Sequence, residues 1–124
     1  MKKNKMLRGI LYEIISVDAG GATIRLLPDS PVYQGHFPGY PITPGVCLVE
    51  IAVELMREMA GQAGHDGQDE KIRFVGAKNI KFTSPVIPDG KTPLRFNLSG
   101  EGCVREVEVL YGDVLSAKMS LSVA

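Results

Sequence analysis

His36 and Glu50, fourteen positions apart, are the pair in this chain best suited to move protons near neutral pH. The segment around them reads GHFPGYPITPGVCLVE, so the imidazole is set between a glycine and a Phe-Pro-Gly turn. A few residues on, Thr43, Pro44 and Gly45 have the composition of a helix start, and Glu50 follows in the second turn. The free N–H groups of such a start can hold a developing negative charge beside the acid and the base. The residues alone leave a second reading open. Glu50, Glu54, Arg57 and Glu58 recur at helical spacing, as a solvated stripe on an amphipathic helix also would. His36 could equally be a turn histidine bonded to backbone.

The helix that carries Glu50 is expected over residues 44–60, with Thr43 as its N-cap, Pro44 in its first turn and Gly61 at its end. Apolar residues from Val46 to Met59 leave it only a narrow polar stripe, so other structure should wrap it. Before it, residues 8–17 read as a strand, Asp18-Ala19-Gly20-Gly21 as a turn, and 22–27 as the return strand of a hairpin. Residues 28–43 hold four prolines and are expected to form an irregular loop presenting His36. Residues 61–70 read as a polar loop in which His65 is solvated, and residues 1–6 as a flexible basic tail. From residue 71 onward the pattern is β: a long strand over 71–83, a turn at Pro88-Asp89-Gly90, and alternating strands to the C-terminus. In the last of these, Leu115, Ala117, Met119, Leu121 and Val123 form the apolar set. One long apolar helix with a half-buried antiparallel sheet is an α+β layout.

The 124 residues make one domain, long enough to bury roughly two-thirds of the unfolded surface. Fourteen acidic residues balance fourteen basic ones, so no global field points to nucleic acid or a membrane surface. No stretch approaches a membrane span or a signal peptide. Cys47 and Cys103 read as reduced thiols of a cytoplasmic protein.

The pattern H-F-P-G-x-P-x-x-P-G-V-x-x-x-E resembles the signature of the 3-hydroxyacyl-ACP dehydratases of the FabZ type. Phe74-Val75-Gly76 and Lys81-Phe82-Thr83-Ser84-Pro85-Val86-Ile87-Pro88 resemble the same family's later block. Together the two blocks cover about a third of the chain. The resemblance implies a hotdog fold, an antiparallel sheet wrapped around one central helix. It implies removal of water from a 3-hydroxyacyl thioester on acyl carrier protein. His36 would be the base, Glu50 the acid, and the backbone N–H of Gly45 or Val46 the oxyanion donor. It also implies a homodimer or an assembly of dimers, with His36 and Glu50 acting in trans and an acyl tunnel along the interface. Phe37, Tyr40, Phe74, Val75, Gly76 and Phe82 would line the tunnel or its mouth, although each aromatic could equally be core packing. The reaction needs no metal or organic cofactor, and no metal-ligand cluster is visible in the sequence.

Three departures from the family pattern stand out. Glu54 replaces a usual glutamine one turn past Glu50, where it is expected to face the substrate region and tune the acid. The family's N-terminal His-Arg-Phe-Pro stretch has no counterpart before residue 8. Thr83 and Ser84 replace basic residues, so Lys2, Lys3, Lys5, Lys78 and Lys81 become the candidates for docking an acidic carrier. These departures suggest a specialised lipid or polyketide-like pathway. A hotdog thioesterase, a CoA-linked hydratase and an idle carrier-binding subunit are the competing readings. The spacing from Phe-Pro-Gly to Pro-Gly-Val argues against the thioesterase, and the retention of both His36 and Glu50 argues against the idle subunit.

Overall fold

The computed structural model describes residues 7–34, 42–62, 73–100 and 102–124. Six strands form one antiparallel sheet: β1 (Tyr12–Asp18), β2 (Gly21–Leu26), β3 (Phe74–Phe82), β4 (Leu94–Ser99), β5 (Val104–Tyr111) and β6 (Val114–Val123). Their spatial order is β1-β2-β4-β5-β6-β3. Among the described residues, the helices α1 (Pro31–Gln34) and α2 (Gly45–Gln62) lie between β2 and β3 in the chain. The connection from β2 to β3 therefore carries the chain from one side of the sheet to the opposite edge, and α2 is the element that makes the crossing.

The sheet closes on α2 through one apolar face. Ile24, Leu94, Phe96, Val107, Val109 and Leu121 are fully buried, as are Ile51, Ala52 and Leu55 of the helix. Each such large side chain contributes roughly 1.5–3 kcal/mol by leaving water. The first hairpin depends on Gly21, whose φ of 152° lets β2 begin hard against β4. A Cβ there would stand 1.9 Å from the Phe96 carbonyl oxygen. The long helix inside an antiparallel sheet is the hotdog architecture that the sequence resemblance implies.

Several boundaries differ from expectation. The first strand starts at Tyr12 rather than residue 8, because Gly9 at φ 86° turns the chain and Ile10 and Leu11 both donate to the Leu7 carbonyl. The segment expected to be wholly irregular holds the short α1, opening on Pro31, a residue whose fixed φ suits a first helical turn. Leu115 is exposed, while Ala117, Met119, Leu121 and Val123 are buried. The β5–β6 register shifts at Val109/Leu110, which breaks the period before it reaches Leu115. The tail 1–6, residues 71 and 72 of the long strand, and the loop 63–70 with His65 lie outside the described residues.

Among the described residues, β3 pairs with β6 on one side and with no strand on its far side. Phe74, Val75, Ile80 and Phe82 are exposed along it. Its pairing shifts at Phe74/Gly76 and again at Lys78/Lys81, and Asn79 between the latter takes a positive φ of 55°.

Candidate active site

The N-terminus of α2 is built by three neighbouring segments. The Pro44 carbonyl accepts the N–H groups of Cys47 and Leu48 at 3.0 and 3.3 Å, so the Gly45 and Val46 N–H groups precede the first intrahelical donor. The Thr43 N–H donates to the Val86 carbonyl at 2.8 Å, which ties the helix entry to the segment after β3. That segment is tied in turn to β6, for Thr83 donates its N–H to the Ser116 carbonyl and its hydroxyl to the Leu115 carbonyl. The Thr43 hydroxyl was expected to cap the helix. It is bonded instead to the Tyr33 hydroxyl at 2.8 Å, and helix α2 begins at Gly45. Burial pushes the Tyr33 phenol up to about 12, so it stays protonated throughout the neutral range.

A cavity of about 380 Å³ opens at this helix end, with Thr43, Gly45, Leu48, Phe82, Pro85 and Val86 among its walls. The Phe82 ring lies across Gly45 so closely that a Cβ on Gly45 would stand 2.5 Å from its Cζ. Glycine at 45 is therefore a steric requirement of this wall. The structure thus brings together Gly45 and Phe82 from separate expectations. Phe74, Val75 and Gly76 are not among the residues that line this cavity: Phe74 pairs with Val123 and Phe82 with Ala117, six residues of β6 or about 20 Å apart. His36, Phe37 and Tyr40 lie outside the described residues.

Glu50 stands one and a half turns into α2, about 7.5 Å along the axis from Gly45. It shares a face with Val46, four residues earlier, and both are exposed. Partial burial raises its carboxyl above the ordinary glutamate value; the neighbouring Glu54 adds to the rise, and Arg57 opposes it. Burial, followed by the Glu50 charge, also raises the adjacent Cys47 thiol.

Glu54 is placed differently from expectation. It continues the same helical face but is only 2% exposed, and its oxygens point away from the cavity into the N-terminal turn. Oε2 accepts the Leu7 N–H at 2.8 Å, while Oε1 accepts the Arg8 N–H at 3.2 Å and the Tyr12 hydroxyl at 2.8 Å. Sequence reasoning missed these three partners, as it missed Tyr33 against Thr43. An aromatic in an apolar run gives no sign that its hydroxyl meets a carboxylate forty-two residues away. Among the described residues, no group of three His, Cys, Asp or Glu side chains could hold a metal ion, and no helix is long and apolar enough to cross a membrane.

The family model of the ApeI-like proteins, described as ApeI dehydratase, matches residues 16–109. The chain is similar to a 3-hydroxyacyl-[acyl-carrier-protein] dehydratase FabZ of Geobacter metallireducens, with 36% identity over 84 residues. That match takes in 64% of this chain and 52% of the relative. A second FabZ dehydratase, from Syntrophobacter fumaroxidans, is 31% identical over 98 residues, covering 71% of this chain and 67% of that one. The chain thus spans about half the length of the first relative and two-thirds of the second. Among solved structures, the dehydratase heterocomplex ApeI:P from Xenorhabdus doucetiae superposes with a TM-score of 0.66 at 18% identity. It covers 91% of this chain and 97% of that one, and shows the shared fold. The residues matched by the family model and the two FabZ relatives establish that this chain belongs to the ApeI-like dehydratase family.

Proposed function

We propose that this chain dehydrates a 3-hydroxyacyl thioester on acyl carrier protein to the trans-2-enoyl thioester. The observation that carries the reading is the end of α2. The Gly45 and Val46 N–H groups precede the first intrahelical donor, Gly45 lines a cavity walled by Phe82, and a carboxyl group raised above its ordinary value lies further along the same helix.

The chemistry follows from those parts. His36, as neutral imidazole, removes the proton from C2. The electron pair moves toward the thioester carbonyl, and the Gly45 and Val46 N–H groups stabilise the resulting oxyanion. The pair then returns to form the C2–C3 double bond as the C3–O bond breaks. The protonated Glu50 gives its proton to the departing oxygen, which leaves as water. A raised carboxyl value keeps Glu50 protonated to higher pH, as an acid requires.

A second copy of this chain completes the reading. Glu50 and Val46 are exposed on a single protomer, so this chain alone does not give the acid an enclosed apolar site. The unpaired β3 edge, with Val75 65% exposed and Phe82 53%, is the surface on which a homodimer would form. His36 of one protomer would then work with the partner's Glu50. The exposed Lys78 and Lys81 on β3 suit an acidic carrier protein. Half-buried Cys47 and exposed Cys103 are both free thiols, which fits a reducing cytoplasm.

The test is incubation of the pure protein with a panel of 3-hydroxyacyl-ACPs, followed by mass spectrometry. Loss of one water with the thioester intact is expected. Release of free acid would instead make the chain a thioesterase, and turnover of CoA thioesters alone would make it a CoA-linked hydratase.

A further inference from the structure

Glu54 is the one acidic side chain of the described residues that is almost fully buried, and the reaction above does not use it. Three donors hold it: two backbone N–H groups from the turn at residues 7–11 and the phenol of Tyr12, which is itself wholly buried. An amide side chain could not replace it without cost. Glutamine has one acceptor oxygen, so its NH₂ would meet either the Leu7 N–H or the pair of donors at Oε1. A second tie fastens the same turn to the helix. The Arg8 guanidinium pairs with Glu58 at 2.8 Å, one helical turn beyond Glu54.

We propose that Glu54 is a positioning residue that links the turn at residues 7–11 to the acid of the active site. The turn and Tyr12 fix the carboxylate in place, one helical turn from Glu50 on the same face of α2. This inference rests on the dehydratase reading for the role of Glu50. The geometry gives it direction. With its oxygens held by Leu7, Arg8 and Tyr12, Glu54 cannot swing out to solvent, so its influence falls steadily on Glu50. The charged and titratable groups around it are Glu50, Arg57 and Glu58 on α2, Arg8 on the turn and Tyr12 on β1. Burial first, and then the Glu54 charge and hydrogen bond, raises the Tyr12 phenol, which therefore remains a donor. Glu54 likewise contributes to the rise at Glu50, after burial. Docking of the N-terminal turn and proton retention by Glu50 are thus two results of one carboxylate.

The experiment is NMR on the full chain, with carboxyl-labelled glutamate and amide exchange, run beside the acyl-ACP assay. In the wild type the Leu7 and Arg8 amides should be protected, and Glu50 should titrate above an ordinary glutamate. In Glu54→Gln those amides should exchange on the order of tenfold faster, the effect of losing a hydrogen bond to a charged acceptor. Glu50 should then titrate at lower pH, and the alkaline limb of the rate profile should move down with it. Tyr12→Phe keeps the carboxylate and removes one donor, so it serves if Glu54→Gln unfolds. It should move the Glu50 titration the same way by a smaller amount, because a carboxylate that has lost one of its three donors is held less firmly beside Glu50. If the amides are released but the Glu50 titration stays put, Glu54 is only a structural clamp and the proposal is overturned. A wild type with the expected titration but no dehydration of any acyl-ACP would instead overturn the dehydratase reading and leave the link between Glu54 and Glu50 standing.

Discussion

The Phe82 ring and the Gly45 backbone are in such close contact that any β-carbon at position 45 would stand 2.5–3.0 Å from three ring atoms. Phe82 is 53% exposed, so the ring can swing away at little cost to the fold. Its cavity wall moves when it does. Gly45→Ala should therefore keep its melting temperature within a few degrees and lose roughly 10–100-fold in kcat/KM, the scale of a misplaced reacting group. Adding Phe82→Ala should restore part of the loss by removing the clash. A double variant no better than Gly45→Ala would show that the methyl group blocks the substrate directly rather than through Phe82.

The acid and base assignments predict a paired result. His36→Ala and Glu50→Gln should each lower kcat by about 10²–10⁴-fold with the fold intact, the usual range for removing a general acid or base. If the site is shared between protomers, as proposed, mixing the two inactive variants should recover activity in the mixed dimers. Confirmed subunit exchange without recovery would place both groups of a working site in one chain.

How far the sequence could be read depended on whether the cause was local. The helix start was legible because Pro44 and Gly45 are strong local signals, and the structure begins α2 at Gly45. The cap was not, because Tyr33 competes for the Thr43 hydroxyl from another element. The apolar set of the last strand is buried from Ala117 to Val123 and exposed at Leu115, where the shift depends on β5, while Ser116 and Ser120 on the opposite face are buried as well, against the expected alternation. Glu54 shows the same limit. Its spacing from Glu50 placed both on one helical face, while the donors that turn it inward come from forty-two to forty-seven residues upstream.

The β3 edge predicts the oligomeric state. Val75 and Ile80 are exposed on a strand with one unpaired side, and neither is part of the core. Val75→Asp with Ile80→Lys should convert a dimer to a monomer in sedimentation, with the far-ultraviolet circular dichroism unchanged. Activity should fall with the dimer, since Glu50 is left uncovered. A variant that still sediments as a dimer would move the interface away from β3.

Glu50 predicts that function is held at some expense to stability. Its carboxyl is raised above the ordinary value of 4.5, so the folded protein binds its proton more tightly than the unfolded chain does. The folded state then holds more protons in the interval between 4.5 and the raised value, and stability falls as pH climbs through that interval. Above it, the burden stays at its full size; below 4.5 it vanishes, because the group is protonated in both states. Glu50→Gln removes the titration while keeping shape and hydrogen-bonding capacity. Its melting temperature should exceed that of the wild type at pH 8, and the gap should close as the pH falls toward 4. The same variant should be the less active of the two throughout. A gap independent of pH would mean that Glu50 titrates as an ordinary surface carboxyl, and the acid of the reaction would then have to be sought elsewhere on the helix.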